Sequence, residues 1–258
     1  MKMDYSQRLK WIEHVLQTES RGLDRLNTSG SNSETTSETE TTLNLPLKHI
    51  SLFRPEHYQS GYAYPLVIWL HPDCGSEHDL HTVMPKISTR NYLGLSFRAP
   101  AIDPKAPQNG YRWPDSQLFI ELFLSQVEQT VEELKKVFHI HPDRIYLAGK
   151  GTGCSIATRL LLQSENLFAG VALLEGHFSK HDFQYQETGN LAGKRILLDP
   201  QHSQQPLSTQ RLMRLWKTRG ADVQLPHPSQ HSGQNQGREL LRALDYWIME
   251  GISTAKLA

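Results

Sequence analysis

Three glycines at alternate positions form the segment of this sequence that is most closely tied to chemistry. Gly149, Gly151 and Gly153 follow a predicted strand at 144–148 and precede a predicted helix that begins at Cys154. A strand, a sharp glycine turn and a helix are the layout in which a G-x-S-x-G segment lifts a serine nucleophile above a sheet. The central position here is Gly151, which has no side chain, so no acyl-enzyme can form there.

The same turn is also similar to a dinucleotide fingerprint, G-x-G-x-x-G/A, which follows a strand and opens a helix. The helix N-terminus then offers free amides to a phosphate, and Lys150 would add positive charge. Glu175 ends the next predicted strand, where such folds place an acid that binds the ribose. The third glycine of that pattern is Cys154 in this chain. Nucleotide or anion binding at 149–153 is therefore the alternative and not the leading interpretation.

One local cluster raises the question of metal binding. Its members are His71, Asp73, Cys74, His78, Asp79 and His81. Their spacings match no zinc pattern, so we predict solvated histidines, no metal and no cofactor. The chain has only two cysteines, which form no disulfide framework and suit a reducing compartment.

Composition excludes several classes of function. The chain has 258 residues, with 27 Lys plus Arg and 27 Asp plus Glu. This balance lacks the basic excess typical of a nucleic-acid-binding protein. No apolar run approaches the ~18–20 residues of a membrane span, and the N-terminus lacks an apolar signal core. We therefore predict a cytoplasmic protein with no nucleic-acid partner and no membrane span.

Two short regions precede the main domain. Residues 27–42 contain no apolar residue, no Lys and no Arg, so we predict a disordered Ser/Thr/Glu-rich linker. Within residues 1–26, an apolar stripe with helical spacing predicts an amphipathic helix that docks on the main domain or on a protein partner. The stripe consists of Tyr5, Leu9, Ile12 and Leu16. Residues 43–258 then form the main domain, and the linker accounts for part of the low hydrophobic fraction of 38%.

The main domain alternates between predicted strands and predicted helices, which is typical of an α/β domain with a mostly parallel sheet. Several strands are continuous apolar runs, as a sheet covered on both faces requires. The predicted strands are 47–53, 66–70, 92–97, 144–148, 170–174, 196–198 and 223–225.

Helical periods lie between these strands. The clearest one has spacings of 4, 3, 4, 3 and 4, and Asp115 or Ser116 can cap its start. Its apolar residues are Ile120, Leu124, Val127, Val131, Leu134 and Phe138. Two more helices are predicted around 212–219 and 239–249.

In order and spacing, six segments resemble the phospholipase/carboxylesterase branch of the α/β-hydrolase superfamily. They are Tyr64-Pro65-Leu66-Val67-Ile68-Trp69-Leu70-His71, His71-Pro72-Asp73-Cys74-Gly75, Gly110-Tyr111-Arg112-Trp113, 141–149, 168–173 and Gly220-Ala221-Asp222-Val223. The resemblance covers roughly residues 46–252. It implies an α/β-hydrolase fold, in which a mostly parallel central sheet is flanked by helices in three layers.

The resemblance also shows which catalytic groups are missing. The position of the family's serine is Gly151, and the acid position falls at Ser203 or Gln204, neither of which is acidic. Asp199 comes too early, at the strand end, to be more than a displaced acid. The base position falls on His231, with His227 in the same loop. Cys154 and Ser155 lie on the helix beyond the turn, so neither is expected to replace the serine.

Other features of the cleft follow from the same resemblance. The backbone N–H groups of Asp73 and Thr152 stand where the family has its oxyanion donors. A carboxylate at Asp73 would oppose a developing oxyanion if it pointed inward. The side chains expected to line the remnant cleft are His71, Tyr111, Trp113 and Lys150.

The leading functional hypothesis is therefore a catalytically inactive relative of carboxylesterases that binds a small ester-like or anionic ligand, or a partner. The first alternative is an active ester hydrolase with rearranged catalytic groups. The second is the nucleotide- or anion-binding protein described above.

Overall fold

The computed structural model describes residues 49–106, 110–164, 166–178, 191–199, 206–226 and 236–254. The predicted helix at 1–26 and linker at 27–42 lie outside the described residues, and their roles stay predictions. Ser203, Gln204, His227 and His231 also lie outside them.

A seven-stranded sheet forms the centre of the domain, with the strand order β1-β3-β2-β6-β7-β8-β9. Its strands are β1 Ile50–Phe53, β2 Tyr64–Leu70, β3 Leu93–Phe97, β6 Ile140–Lys150, β7 Gly170–Leu174, β8 Arg195–Leu198 and β9 Asp222–Gln224. Only β1 runs antiparallel, along β3, and the other neighbours pair in parallel. Every residue of β2, β3 and β7 is buried, because helices cover both faces. All seven predicted strands are confirmed, with ends that shift by a few residues.

Five helices flank the sheet in the described part of the chain. They are α1 Asp79–Ile87, α2 Gln117–Lys135, α3 Gly153–Gln163, α4 Pro206–Thr218 and α5 Gln236–Thr254. Helices α1 and α5 pack together, as do α2 and α3. Since α1 and α5 share one apolar cluster with Val67 and Trp69 of β2, they cover one face of the sheet. The predicted three-layer α/β-hydrolase architecture is confirmed.

Helix α2 shows how closely the predicted helical period matches the structure. Ser116 caps the helix, because its side chain accepts a hydrogen bond from the Phe119 N–H at 3.2 Å. The helix ends at Lys135, so Phe138 of the predicted stripe packs from the following turn and not from the helix. Phe123 is fully buried, whereas Leu124 is only partly buried. The apolar face is therefore rotated slightly from the one predicted.

Two elements were not predicted as such. Helix α1 follows the loop that contains the histidine cluster, and a two-stranded ribbon pairs β4 Ala101–Ile102 with β5 Tyr111–Arg112. Both lie next to the loop at 71–78, which they hold against the end of the sheet. No helix among the described residues is long and apolar enough to cross a membrane.

Candidate functional site

The turn between β6 and α3 keeps the sharp geometry of a nucleophile elbow. Gly151 lies between the last residue of β6 and the start of α3, with a left-handed φ of +55°. Its N–H donates to the Leu174 carbonyl at 3.1 Å, and its carbonyl accepts from the His177 N–H at 3.0 Å. A Cβ on Gly153 would lie 2.3 Å from the Leu70 carbonyl oxygen, so this glycine lets the helix approach β2. The turn therefore has the backbone of a sharp strand–turn–helix elbow, and the residue at its tip, Gly151, has no side chain.

Pro72 covers the position from which a nucleophile would project. A Cβ built on Gly151 would lie 3.1 Å from the Pro72 Cβ. Optimal contact between carbon atoms is about 3.5–4.0 Å, so a side chain here would press against the proline. A side chain could therefore begin here only if Pro72 moved away by a few tenths of an ångström.

Two hydrogen bonds join that loop to the elbow. The Asp73 N–H donates to Thr152 Oγ1 at 3.0 Å, and the Thr152 hydroxyl donates back to Asp73 Oδ1 at 2.8 Å. The Asp73 amide, expected as an oxyanion donor, therefore already has an acceptor. The Asp73 carboxylate is directed at the Thr152 hydroxyl. We call this pair of hydrogen bonds between Asp73 and Thr152 the loop latch.

Cys74 and Asp103 fasten the same loop on its other side. Cys74 has a left-handed φ of 63°, and its N–H donates to Asp103 Oδ2 at 3.2 Å. Its thiol donates to the same oxygen, also at 3.2 Å. This hydrogen bond raises the pKa of the Cys74 thiol above its ordinary value. Cys74 therefore stays protonated and is a poor nucleophile.

His71 belongs to the interior of the domain and does not line an open cleft as the resemblance implied. Its ring is fully buried, with Nδ1–H donating to the Pro72 carbonyl at 2.8 Å and Nε2 accepting from the Ala99 N–H at 3.1 Å. Burial lowers the pKa of His71, which keeps it neutral. With both nitrogens bonded, His71 positions the loop and has no free atom for acid–base work.

Trp113 and Tyr111 likewise support the loop. Trp113 is buried, and its indole N–H donates to the His71 carbonyl at 2.8 Å. The Arg98 guanidinium lies 4.7 Å from the centre of the Tyr111 ring and forms an ion pair with the buried Glu77. These aromatic residues were expected to line the cleft, and the structure instead places them against the loop at 71–78 and against Arg98, which is paired with Glu77 of that loop.

The other candidate nucleophiles are confined within α3. Cys154 is fully buried, and its thiol lies 3.1 Å from the Gly149 carbonyl oxygen and 3.4 Å from that of Leu174. Ser155 is 7% exposed. Neither side chain is open to a substrate at the elbow, which agrees with their placement beyond the turn in the sequence.

The charged residues near the elbow are arranged differently from a catalytic dyad. Lys150 forms an ion pair with Glu175 at 3.2 Å, and both side chains are partly exposed. Glu175 has a left-handed φ of 52° at the end of β7. Asp199 is 2% exposed at the end of β8, where its N–H donates to the Leu173 carbonyl. No group of three His, Cys, Asp or Glu side chains in the described ranges is arranged to hold a metal ion.

A cavity of about 540 Å³ adjoins the elbow on the face covered by α1 and α5. Lys150 and Pro72 contribute to its wall, whereas His71, Tyr111 and Trp113 are not among its lining residues. The sequence had indicated Lys150 but not the cavity. The sequence also did not predict the contacts of the Thr152 hydroxyl with Asp73 and of Pro72 with Gly151. Each pair is 79 residues apart in the chain, and no local sequence pattern indicates such contacts.

Several solved structures with similar folds are esterases. A carboxylesterase from Mesorhizobium loti is 18% identical, with a TM-score of 0.55 over 71% of this chain and 88% of that one. A Bacillus cereus carboxylesterase is 18% identical, with a TM-score of 0.57 over 78% of this chain and 93% of that one. A fungal esterase from Rhizomucor miehei is 14% identical, with a TM-score of 0.59 over 96% of this chain and 92% of that one.

Neither a protein-family model nor a curated protein matches the sequence. At these identities the likeness establishes the fold. The chain has the α/β-hydrolase fold of the carboxylesterase type.

Proposed function

We propose that this chain is a carboxylesterase-like protein that does not hydrolyse esters and that uses the region of its elbow to bind a small ligand. The observation that carries the proposal is Gly151, which occupies the nucleophile position while Pro72 lies 3.1 Å from where its Cβ would be. The position lacks the reacting atom, and the first carbon of a side chain there would press against Pro72.

The chemistry of ester cleavage supports this conclusion. Covalent catalysis needs an oxygen or sulfur nucleophile at the elbow, together with donors aimed at the developing oxyanion. Cys74 is held protonated by Asp103, and Cys154 is buried. The loop latch also engages the Asp73 amide, so a water molecule in place of the serine would lack one of the expected donors.

The conformation of the elbow gives a physical reason for glycine there. An L-residue in the left-handed region is strained by about 1–2 kcal/mol, a strain that hydrolases tolerate because the serine is needed. Glycine adopts the same φ without a Cβ. Loss of the nucleophile with retention of the fold is therefore a stable combination.

A fluorophosphonate probe and a series of p-nitrophenyl esters test the proposal directly. We expect no covalent labelling and no hydrolysis above that of heat-unfolded protein. The matched variants are His231→Ala, at the base position, and His227→Ala, in the same predicted loop. Turnover that disappears in His231→Ala and persists in His227→Ala would establish the active-hydrolase alternative and overturn the proposal.

Nucleotide binding at 149–153 is the less favoured function. Lys150, which would supply charge to a phosphate, is paired with Glu175. Pro72 and the loop latch occupy the outer side of the turn. Calorimetry with a dinucleotide at millimolar concentration should give no heat of binding, and binding that Gly149→Val removes would favour this function instead.

A further inference from the structure

The cavity beside the elbow lies at the ends of the central strands. Trp69 and Leu174 line it from β2 and β7, and Lys150 lines it from the end of β6. Residues of helices α1 and α5 complete its lining. In open α/β sheets, ligands bind beyond the carboxyl ends of the strands, so the position suits a binding site.

The inner part of the cavity is apolar. Its floor is formed by Trp69, Leu174, Leu240 and Leu241, each at most 7% exposed. A volume of about 540 Å³ lies in the range of small-molecule sites. This part of the cavity suits an apolar body, and the whole volume leaves room for a ligand larger than a single substituted benzene ring.

Trp69 adds a specific polar requirement. It is 1% exposed, and its indole Nε1 has no hydrogen-bond partner among the described residues. A buried donor without an acceptor is destabilising by about 1–3 kcal/mol, and native proteins seldom leave one unsatisfied. The nitrogen itself is covered by neighbouring atoms, so an oxygen on a bound ligand reaches it only if this part of the wall shifts on binding.

The rim of the cavity is basic. Lys86, near the end of α1, and Arg238, in the first turn of α5, are exposed and have no ion-pair partner in the described ranges. The two acids of the lining are Glu175, which is paired with Lys150, and Asp79, which begins α1, whereas Lys86 lies in the last turn of that helix. With Lys150, the lining therefore carries three cations and two acids, and Lys86 and Arg238 provide the positive charge that Glu175 does not offset.

We propose that this cavity binds a small carboxylate with an apolar body and one further oxygen acceptor. Lys86 and Arg238 hold the carboxylate at the rim, the body contacts Leu240 and Leu241, and the Trp69 indole donates to the second oxygen. The inference rests on the proposed binding function and names its ligand class. It needs no chemistry at Gly151.

Titration calorimetry with 4-oxo-4-phenylbutanoate tests the site, because this molecule carries all three features. 4-Phenylbutanoate lacks the carbonyl oxygen, and 4-oxo-4-phenylbutanamide lacks the charge. We expect the first compound to bind most tightly and each comparator to bind at least severalfold more weakly. In ¹⁵N-labelled protein, one buried indole N–H signal should shift with 4-oxo-4-phenylbutanoate and shift less with 4-phenylbutanoate.

Variants then locate the binding. Lys86→Gln with Arg238→Gln should weaken 4-oxo-4-phenylbutanoate binding by about tenfold, since each partly exposed ion pair contributes up to roughly fivefold. Arg242→Gln removes the same charge from the exposed face of α5 outside the cavity and should change nothing. Thermal unfolding of each variant checks that the fold is retained.

Three results would overturn the inference. They are absence of binding at millimolar ligand, equal binding of the amide, and unchanged affinity in the Lys86 and Arg238 double variant. The result of the fluorophosphonate assay does not depend on these three results. Labelling of the protein by the probe would refute the proposal that the chain does not hydrolyse esters. Absence of carboxylate binding would refute only the proposed cavity site.

Discussion

Restoring a serine at the elbow should destabilise the protein without creating an esterase. In Gly151→Ser, an L-residue must adopt a φ of +55°, which is destabilising by about 1–2 kcal/mol. Its Cβ would lie 3.1 Å from the Pro72 Cβ, and overpacking of this kind is destabilising by about 1–3 kcal/mol. The free energy of unfolding should therefore fall by about 2–5 kcal/mol.

The chain contains a matched control for the conformational part of this effect. Gly193 also has a left-handed φ, of +77°, but a Cβ there would meet no atom within 4 Å. Gly193→Ser should lower the free energy of unfolding by the conformational 1–2 kcal/mol alone. In urea unfolding, the difference between the two variants measures the contact of Gly151 with Pro72.

A second substitution separates the contact from other causes. Pro72→Gly removes the Cβ that a side chain at Gly151 would meet. Gly151→Ser should therefore lower the free energy of unfolding by about 1–3 kcal/mol less in the Pro72→Gly background than in the wild-type protein. The reasoning is refuted if Gly151→Ser is no more destabilising than Gly193→Ser. Fluorophosphonate labelling of Gly151→Ser would show that the elbow is open and contradict the closed loop.

Three further predictions concern the groups around the loop. Thr152→Val removes both hydrogen bonds of the loop latch and should lower the free energy of unfolding by about 1–2 kcal/mol in urea, with no gain of esterase activity. Burial lowers the pKa of His71 from 6.5, so the unfolded state binds more protons, and stability that is complete above about pH 6.5 should fall as the pH drops towards the folded pKa. His71→Gln should flatten that part of the stability profile. Glu77→Gln breaks the buried pair with Arg98 and should lower the free energy of unfolding by about 3 kcal/mol, whereas Glu132→Gln, at an exposed pair on α2, should change it by less than about 1 kcal/mol.

The strands and long helices were readable from the sequence because their signals are local. The predicted strand 170–174 has the same bounds as β7 in the structure. It is an unbroken apolar run, because a strand buried on both faces tolerates no polar position. Ser116 was one of two candidate caps, and its hydrogen bond to Phe119 identifies it as the cap. The short β4–β5 ribbon was missed, because two-residue strands carry no periodic signal.

The candidate site was only partly readable. The glycine spacing correctly located the sharp turn between β6 and α3, because a G-x-G-x-G turn depends on residues adjacent in the chain. That Gly151 stands in place of a nucleophile stays a prediction. His71, Tyr111 and Trp113 were assigned to the cleft by their place in the sequence. The burial of His71 and Trp113 and the contact of Tyr111 with Arg98 depend on how the loop folds back over the sheet, which the sequence pattern does not encode.

The sequence alone predicted an α/β-hydrolase fold, which the structure confirms, and it placed glycine where the resemblance expects a nucleophile. The fold prediction rests on the alternation of strands and helices and on six segments along the chain, whereas the position of Gly151 rests on one short glycine-spaced turn. Only the tertiary structure showed that Pro72 and the loop latch contact this turn, and that Trp69, Lys86 and Arg238 line one cavity. These contacts join residues far apart in the chain, so their existence depends on how the elements pack.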